Sequence, residues 1–201
     1  MTDLGLRDRK KQQTRAALTE AALRLVDERG LDAVTVEDIS AAADVSPRTF
    51  FNYFATKDEA LIGDHTADDD VMRERFLAVE PALSVFEAIQ VAAEPVIDAI
   101  DRERELWRRR IRVMTANPEL VAGLMVRSAR SERELIEAIG RRAGVAPDSG
   151  WPVLAAGVIG AVFRSALLSW AKSDGRTFAD HVHEAFGAIA AGMPDPIKDP
   201  K

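Results

Sequence analysis

The chain of 201 residues has no cysteine and a single tyrosine. Without thiols it can build neither a disulfide framework nor a thiolate metal site, and it suits a reducing compartment such as the cytoplasm. Histidine is nearly as scarce. His181 and His183 are two apart, so on a helix they point to different faces and cannot jointly chelate. His65 with Asp68 or Asp69, at helical spacing, could share a divalent cation, but a solvated acidic helix is the commoner meaning of such a run. No metal or other cofactor is expected. No apolar run reaches the roughly 18 residues of a membrane span, and the charged N-terminus (Arg7, Arg9, Lys10, Lys11) lacks the apolar segment of a signal peptide. A soluble chain with no membrane partner is expected. Nor does any set of nucleophile, acid, base or metal ligands stand out, so catalysis is not expected.

Net positive charge is also missing: the total is −6, and the first 60 residues carry 9 basic against 11 acidic side chains. Bulk charge therefore gives no sign of nucleic-acid binding. Distribution says more. Arg7, Arg9, Lys10, Lys11 and Arg15 are opposed locally only by Asp3 and Asp8, whereas the acids gather at Asp27, Glu28, Asp32, Glu37 and Asp38. One side of this region can be basic while the other is acidic.

What the chain does have is helix punctuation around a core-forming 47% of apolar residues. After a flexible arm over residues 1–9, Lys10 to Arg29 repeats apolar positions at three and four residues (Leu18, Ala21, Ala22, Leu25, Val26), predicting an amphipathic helix that ends at Gly30. Thr35 to Asp38 is a capping box opening a short helix that stops near Asp44. Ser46 and Pro47 are cap and first position of another, about four residues later, which is helix-turn-helix spacing. A generic three-helix cluster is the plain alternative. Phe50 and Phe54, four apart, share a face and are expected to anchor this helix against Leu18, Leu25 and Ile39. Arg48, Thr49, Asn52 and Tyr53 fall largely on the other side, a set suited to phosphates and base edges. Phe51 is either half buried or free to touch a thymine methyl. Thr56 to Glu59 is a further capping box, expected to open a longer helix through Phe76 and Val79. Lys57 lies in its first turn, where a cation opposes the dipole unless a phosphate sits there too; a solvated surface lysine is the alternative.

The stretch TVEDISAAADVSPRTFFNYFATKDEAL (Thr35 to Leu61), with the helix from Lys10, resembles the DNA-binding domain of the TetR family of bacterial transcriptional regulators. That resemblance implies DNA contacts by Arg48, Thr49, Phe51, Asn52, Tyr53 and Thr35, and a phosphate held by Lys57. The family usually has tyrosine where this chain has Phe51, so one hydroxyl contact is lost. It also implies an all-α fold of about nine helices: a helix-turn-helix domain over 10–55, a ligand-binding and dimerisation domain over 56–193, and a disordered tail over 194–201 with prolines at 194, 196 and 200.

Beyond Leu61 the residues predict a helix capped at Ser84 with an internal Pro95, one opened by Asn117 and Pro118 as cap and first position, and two more over 149–172 and 177–193. Six arginines (102, 104, 108, 109, 110, 112) surround Trp107. Phe76, Phe86, Trp107, Met114, Met125 and Phe163 could line a cavity with Arg110 or Arg164 facing an acidic group of a ligand. Ordinary core packing, with the arginines paired to Glu103, Glu105 and Glu132, explains the same residues equally well. The rhythm RRRIRVMTANPEL before a charged helix is similar to actinobacterial TetR members with a mycofactocin-regulator-type second domain, which implies an acyl-thioester or other long apolar effector. The last two long helices, 149–172 and 177–193, are apolar on two sides, as a symmetric dimer interface requires; packing within one chain is the competing reading. The expectation is a dimeric, effector-released repressor on double-stranded operator DNA. A helical enzyme or small-molecule carrier that retains such a domain is the rival, and the negative charge weighs against a non-specific architectural DNA binder.

Overall fold

The computed structural model describes residues 6–63 and 66–195, with side chains at all of these except 6–8, 66–69 and 124–128. Among them are ten α-helices: α1 (Leu6–Arg29), α2 (Val36–Ala42), α3 (Pro47–Phe51), α4 (Lys57–Ile62), α5 (Thr66–Ala78), α6 (Val85–Arg102), α7 (Arg104–Ala116), α8 (Pro118–Ala143), α9 (Gly150–Lys172) and α10 (Phe178–Ala190). The fold is all-helical, as expected, with two differences in where helices begin and end. Helix α1 starts at Leu6 rather than Lys10, because no glycine or proline interrupts 6–29, so residues 6–9 of the expected arm are helical. Residues 1–5 and 196–201, the remainder of that arm and most of the expected tail, lie outside the described residues. The long helix expected from Thr56 is two: Gly63, at φ +85°, ends α4 after six residues. Only glycine adopts that backbone cheaply, and its presence there was the stop signal.

The helix starts follow local chemistry. Thr35 accepts from Asp38 N–H at 3.1 Å while the Asp38 carboxylate accepts from Thr35 N–H at 2.9 Å. A hydrogen bond from the Thr35 hydroxyl, and then the one from its N–H, hold the Asp38 carboxyl below its ordinary range. Ser84 with Glu87 and Thr177 with Asp180 repeat the reciprocal box. At Thr56 the box is altered: Glu59 N–H donates to Thr56 Oγ1 at 3.2 Å, but the Glu59 carboxylate reaches Ala55 N–H, at 2.6 Å. Asn117 precedes α8 but its side chain donates backwards to Val113 C=O at 2.7 Å, closing α7 rather than capping α8.

The chain divides into two compact units, Met1–His65 with Arg104–Ser128, and Thr66–Glu103 with Ala129–Lys201. Helices α4 and α7, which the expected division at 55/56 assigns to the second domain, lie in the first unit. Helices α4 and α7 both side with the N-terminal helices because α1 has more apolar surface than α2 and α3 cover. In the first unit Leu18, Ala22, Leu25, Ile39, Phe50, Phe54, Leu61, Val113 and Leu120 form one core. Asp27 on α1 accepts from Arg112 on α7 at 2.7 Å and lies 3.6 Å from Arg109. The hydrogen bond from Arg112 is the main cause that holds the Asp27 carboxyl below its usual range.

In the second unit α6 runs through Pro95 and buries Ala88, Ile89, Ala92, Ala93, Ile97 and Ile100. It packs on α5 and α10, and α10 packs on α9. Two charges tie this unit together at helix ends. Asp101 accepts from Phe178 N–H at 2.7 Å and Ala179 N–H at 3.3 Å, supplying acceptors to the first turn of α10. Arg142 donates to the carbonyls of Phe76, Val79, Glu80 and Leu83, closing the end of α5. By length and composition α9 is the one helix among the described residues apolar enough to cross a bilayer, although Arg164 interrupts it.

A second clamp lies in the first unit. Lys57 Nζ donates to Leu31 C=O at 2.6 Å and Val34 C=O at 2.8 Å, binding the α1–α2 loop to the start of α4. Removing those charged donors leaves Val34 C=O unpartnered and Leu31 C=O with only the N–H of Val34, at 3.4 Å, so Lys57→Met is expected to cost about 1–3 kcal/mol of stability in urea unfolding. Lys57→Arg should retain most of it. A midpoint unmoved by the methionine would show that the loop is held by its apolar contacts alone.

Candidate nucleic-acid interface

Helix α3 is five residues long, far below the length at which a helix survives alone in water. Its inward face supplies what its length cannot: Phe50 is 0% and Phe54 1% exposed, with ring centroids 5.5 Å apart. At its start Ser46 accepts from Thr49 N–H at 3.1 Å and shares a 2.9 Å hydroxyl contact with Thr49. The turn before it places Asp44 at φ +54°. Aspartate tolerates this left-handed conformation better than most residues, at a cost that glycine would not incur.

Anchored so, α3 turns Arg48, Phe51 and Asn52 to solvent. Phe51 is 56% exposed and stands edge-on to Phe50, so its half-buried alternative does not hold. Thr49 is half buried. Tyr53 is too, packing partly on the core. Thr35 is exposed, with its hydroxyl engaged by Asp38 at 2.6 Å. Lys57 is half buried and partly engaged within the chain. Its ammonium was expected to grip a phosphate; two of its three donors go to the Leu31 and Val34 carbonyls, in a loop where those acceptors have no helical partners, and one N–H remains.

One contributor was missed in the sequence. Arg15 of α1 donates to Tyr53 C=O at 3.2 Å and stacks its guanidinium 4.6 Å from the Phe54 ring centroid. It thereby fastens α1 to the end of α3. Nothing in its local sequence separates it from the neighbouring basic residues; only the fold brings it to the aromatic pair.

The eight residues named for a ligand site divide between the units. Trp107, Arg110 and Met114 belong to the first, where Arg110 stacks 4.6 Å over Trp107 and Met114 packs against the core. Met125 belongs there too, but its side chain lies outside the described residues. In the second unit Phe76 is fully buried beneath Arg142, 5.4 Å from its ring, so it is a core residue. Phe86 and Phe163 are half buried and both meet Phe186, at 6.4 and 5.9 Å. Phe186, on α10, is itself buried. Arg164 is exposed on the outward face of α9, directed away from that cluster because buried Val162 and Ala166 take the inward positions. His65 and the side chains of Asp68 and Asp69 lie outside the described residues.

Comparison with known proteins agrees with this geometry. The sequence profile described as "Bacterial regulatory proteins, tetR family" matches residues 18–62, and the one described as "MftR C-terminal domain" matches 83–194. The HTH-type transcriptional regulator TcmR of Streptomyces glaucescens is 35% identical over 83% of this chain and 76% of its own. The putative mycofactocin biosynthesis transcriptional regulator MftR of Mycobacterium tuberculosis is 24% identical, covering 92% and 93%. Among solved structures, Thermus thermophilus FadR, a repressor in complex with lauroyl-CoA, shares the fold with a TM-score of 0.53 at 22% identity, over 93% of this chain and 98% of that one. With its helix-turn-helix at the front and an MftR-type domain behind, the chain belongs to the TetR family of bacterial transcriptional regulators.

Proposed function

We propose that this regulator is a cytoplasmic repressor that binds a pseudo-palindromic operator as a homodimer and is released by a small apolar or acyl-type effector. The observation that carries the DNA half of this reading is the division of α3, with Phe50 and Phe54 buried and Arg48, Phe51 and Asn52 turned out. An arginine fork pairs with guanine, an asparagine amide with adenine, and an exposed aromatic ring with a thymine methyl. Two such helices, one per subunit, reach successive major grooves when they stand about 34–36 Å apart.

Support for the dimer comes from α9. Its outward face carries Leu154 and Val153, 65% and 51% exposed, and Leu168 at 44%. Between them Gly157, Gly160 and Ala161 leave room for a close helix, and nothing of the chain itself lies within 4 Å of where a Cβ on either glycine would stand. Apolar side chains flanking a smooth strip are costly in water and suit a second copy of the same face.

The effector half rests on the Phe86, Phe163 and Phe186 cluster, in a fold shared with FadR, whose structure holds lauroyl-CoA. Effector binding would shift the spacing of the two α3 helices by favouring one of two conformations.

Three outcomes test these elements. Arg48→Ala and Asn52→Ala should each cost about 1–3 kcal/mol on the operator and flatten the preference over scrambled DNA, measured by anisotropy titration. Equal losses on both duplexes would mean that neither side chain reads a base. Ala161→Glu should convert the dimer seen in sedimentation velocity to a monomer and weaken operator binding with it; a monomeric wild type would remove the interface. In a thermal-shift series of acyl-thioesters, a true effector at about 100 times its Kd adds roughly 2.7 kcal/mol, a clear upward displacement. No displacement across chain lengths would exclude that effector class.

A further inference from the structure

We infer that α1 carries a second phosphate-binding surface, in which Lys10 and Lys11 hold the backbone of the duplex beside the bases approached by α3. The inference rests on the DNA-binding reading above and assigns to it residues outside the helix-turn-helix motif.

The line of α1 that faces the core runs through Arg15, Leu18, Ala22 and Leu25, the last three buried. One turn towards the N-terminus the same line arrives at Lys11, and the adjacent line, through Thr14, arrives at Lys10. Both lysines are exposed, and neither ammonium is hydrogen-bonded or ion-paired among the described residues. The helix thus overshoots its core, and where it does so its inward side changes from apolar to cationic. The stretch from Leu6 to Arg15 holds five basic side chains against one acidic. Positive charge in the opening turns also opposes the helix dipole, a cost that bound anions would offset.

Position makes the partner specific. Arg15, four residues after Lys11, reaches Tyr53 C=O and the Phe54 ring, so this end of α1 is fastened to the end of α3. Lys10 and Lys11 therefore extend the surface on which Arg48, Phe51 and Asn52 are displayed. A row of regularly spaced negative charges continuing past a read base step is what a duplex backbone offers.

The test uses the full chain and a duplex enriched by the wild type from a random-sequence library, with a scrambled duplex as reference. Affinity is measured over a range of KCl concentrations. Each phosphate contact contributes about 0.9 to the slope of log affinity against log salt, so Lys10→Gln with Lys11→Gln should lower the slope by roughly 1.8 per subunit. Affinity should fall by a similar factor on both duplexes, the thermal midpoint should not move, and Lys10→Arg with Lys11→Arg should keep the wild-type slope. An unchanged slope and affinity, or a loss confined to the enriched duplex, overturns the assignment while leaving α3 as the reader. Failure of the wild type to enrich any duplex overturns the DNA-binding reading itself.

Discussion

Everything that α3 can do depends on the burial of two phenylalanines on its inner face. Five residues cannot pay the nucleation cost of a helix from their own hydrogen bonds. The fully buried rings of Phe50 and Phe54, set among Leu18, Leu25 and Ile39, supply the difference. The same contact that keeps the helix folded also fixes its rotation, because an inward ring at 50 leaves 48, 51 and 52 no direction but outward. Arg15 adds a second constraint by stacking on Phe54 and bonding to Tyr53 C=O. Specific recognition needs side chains held to a narrow geometry, and here that geometry derives from apolar packing behind them.

Charges elsewhere serve mainly to close backbone ends. Lys57 satisfies two loop carbonyls, Asp101 two N–H groups at the start of α10, and Arg142 four carbonyls in the last turn of α5 and just beyond it. A helix terminus leaves groups that must find partners, and a long or ionised side chain from a distant element meets that need while linking the two segments. Such residues look like solvated surface charges in a linear reading. In each unit they are among the links that hold helices distant in sequence together.

The features legible in the sequence were those decided within about four residues. Thr35 with Asp38, Ser84 with Glu87, and Thr177 with Asp180 are reciprocal caps whose partners are three positions apart, so spacing alone identifies them. The buried face of α3 follows from a four-residue repeat. Where a side chain had two possible partners, spacing failed. Asn117 was equally placed to cap α8 or to close α7 and does the latter, and Glu59 reaches Ala55 instead of Thr56. Lys57 was read from its place on a helix, but its partners, Leu31 and Val34, are over twenty residues away. The ligand residues fared similarly, since an apolar side chain at helical spacing looks the same whether it fills a core, as Phe76 does, or rims an aromatic cluster, as Phe86 and Phe163 do.

The sequence by itself determined the helical class, the reciprocal caps that start α2, α6 and α10, the anchors of α3 and the family, because each is written in short-range periodicity or in a contiguous motif. Only the tertiary structure decided that α7 belongs with α1, that Lys57 turns inward, that Arg15 joins the aromatic pair and that Arg164 faces outward on α9. Those outcomes depend on which distant surfaces compete to cover one another. Apolar burial is non-directional and roughly proportional to area, so it specifies that a face is covered without naming, in the linear chain, the segment that covers it.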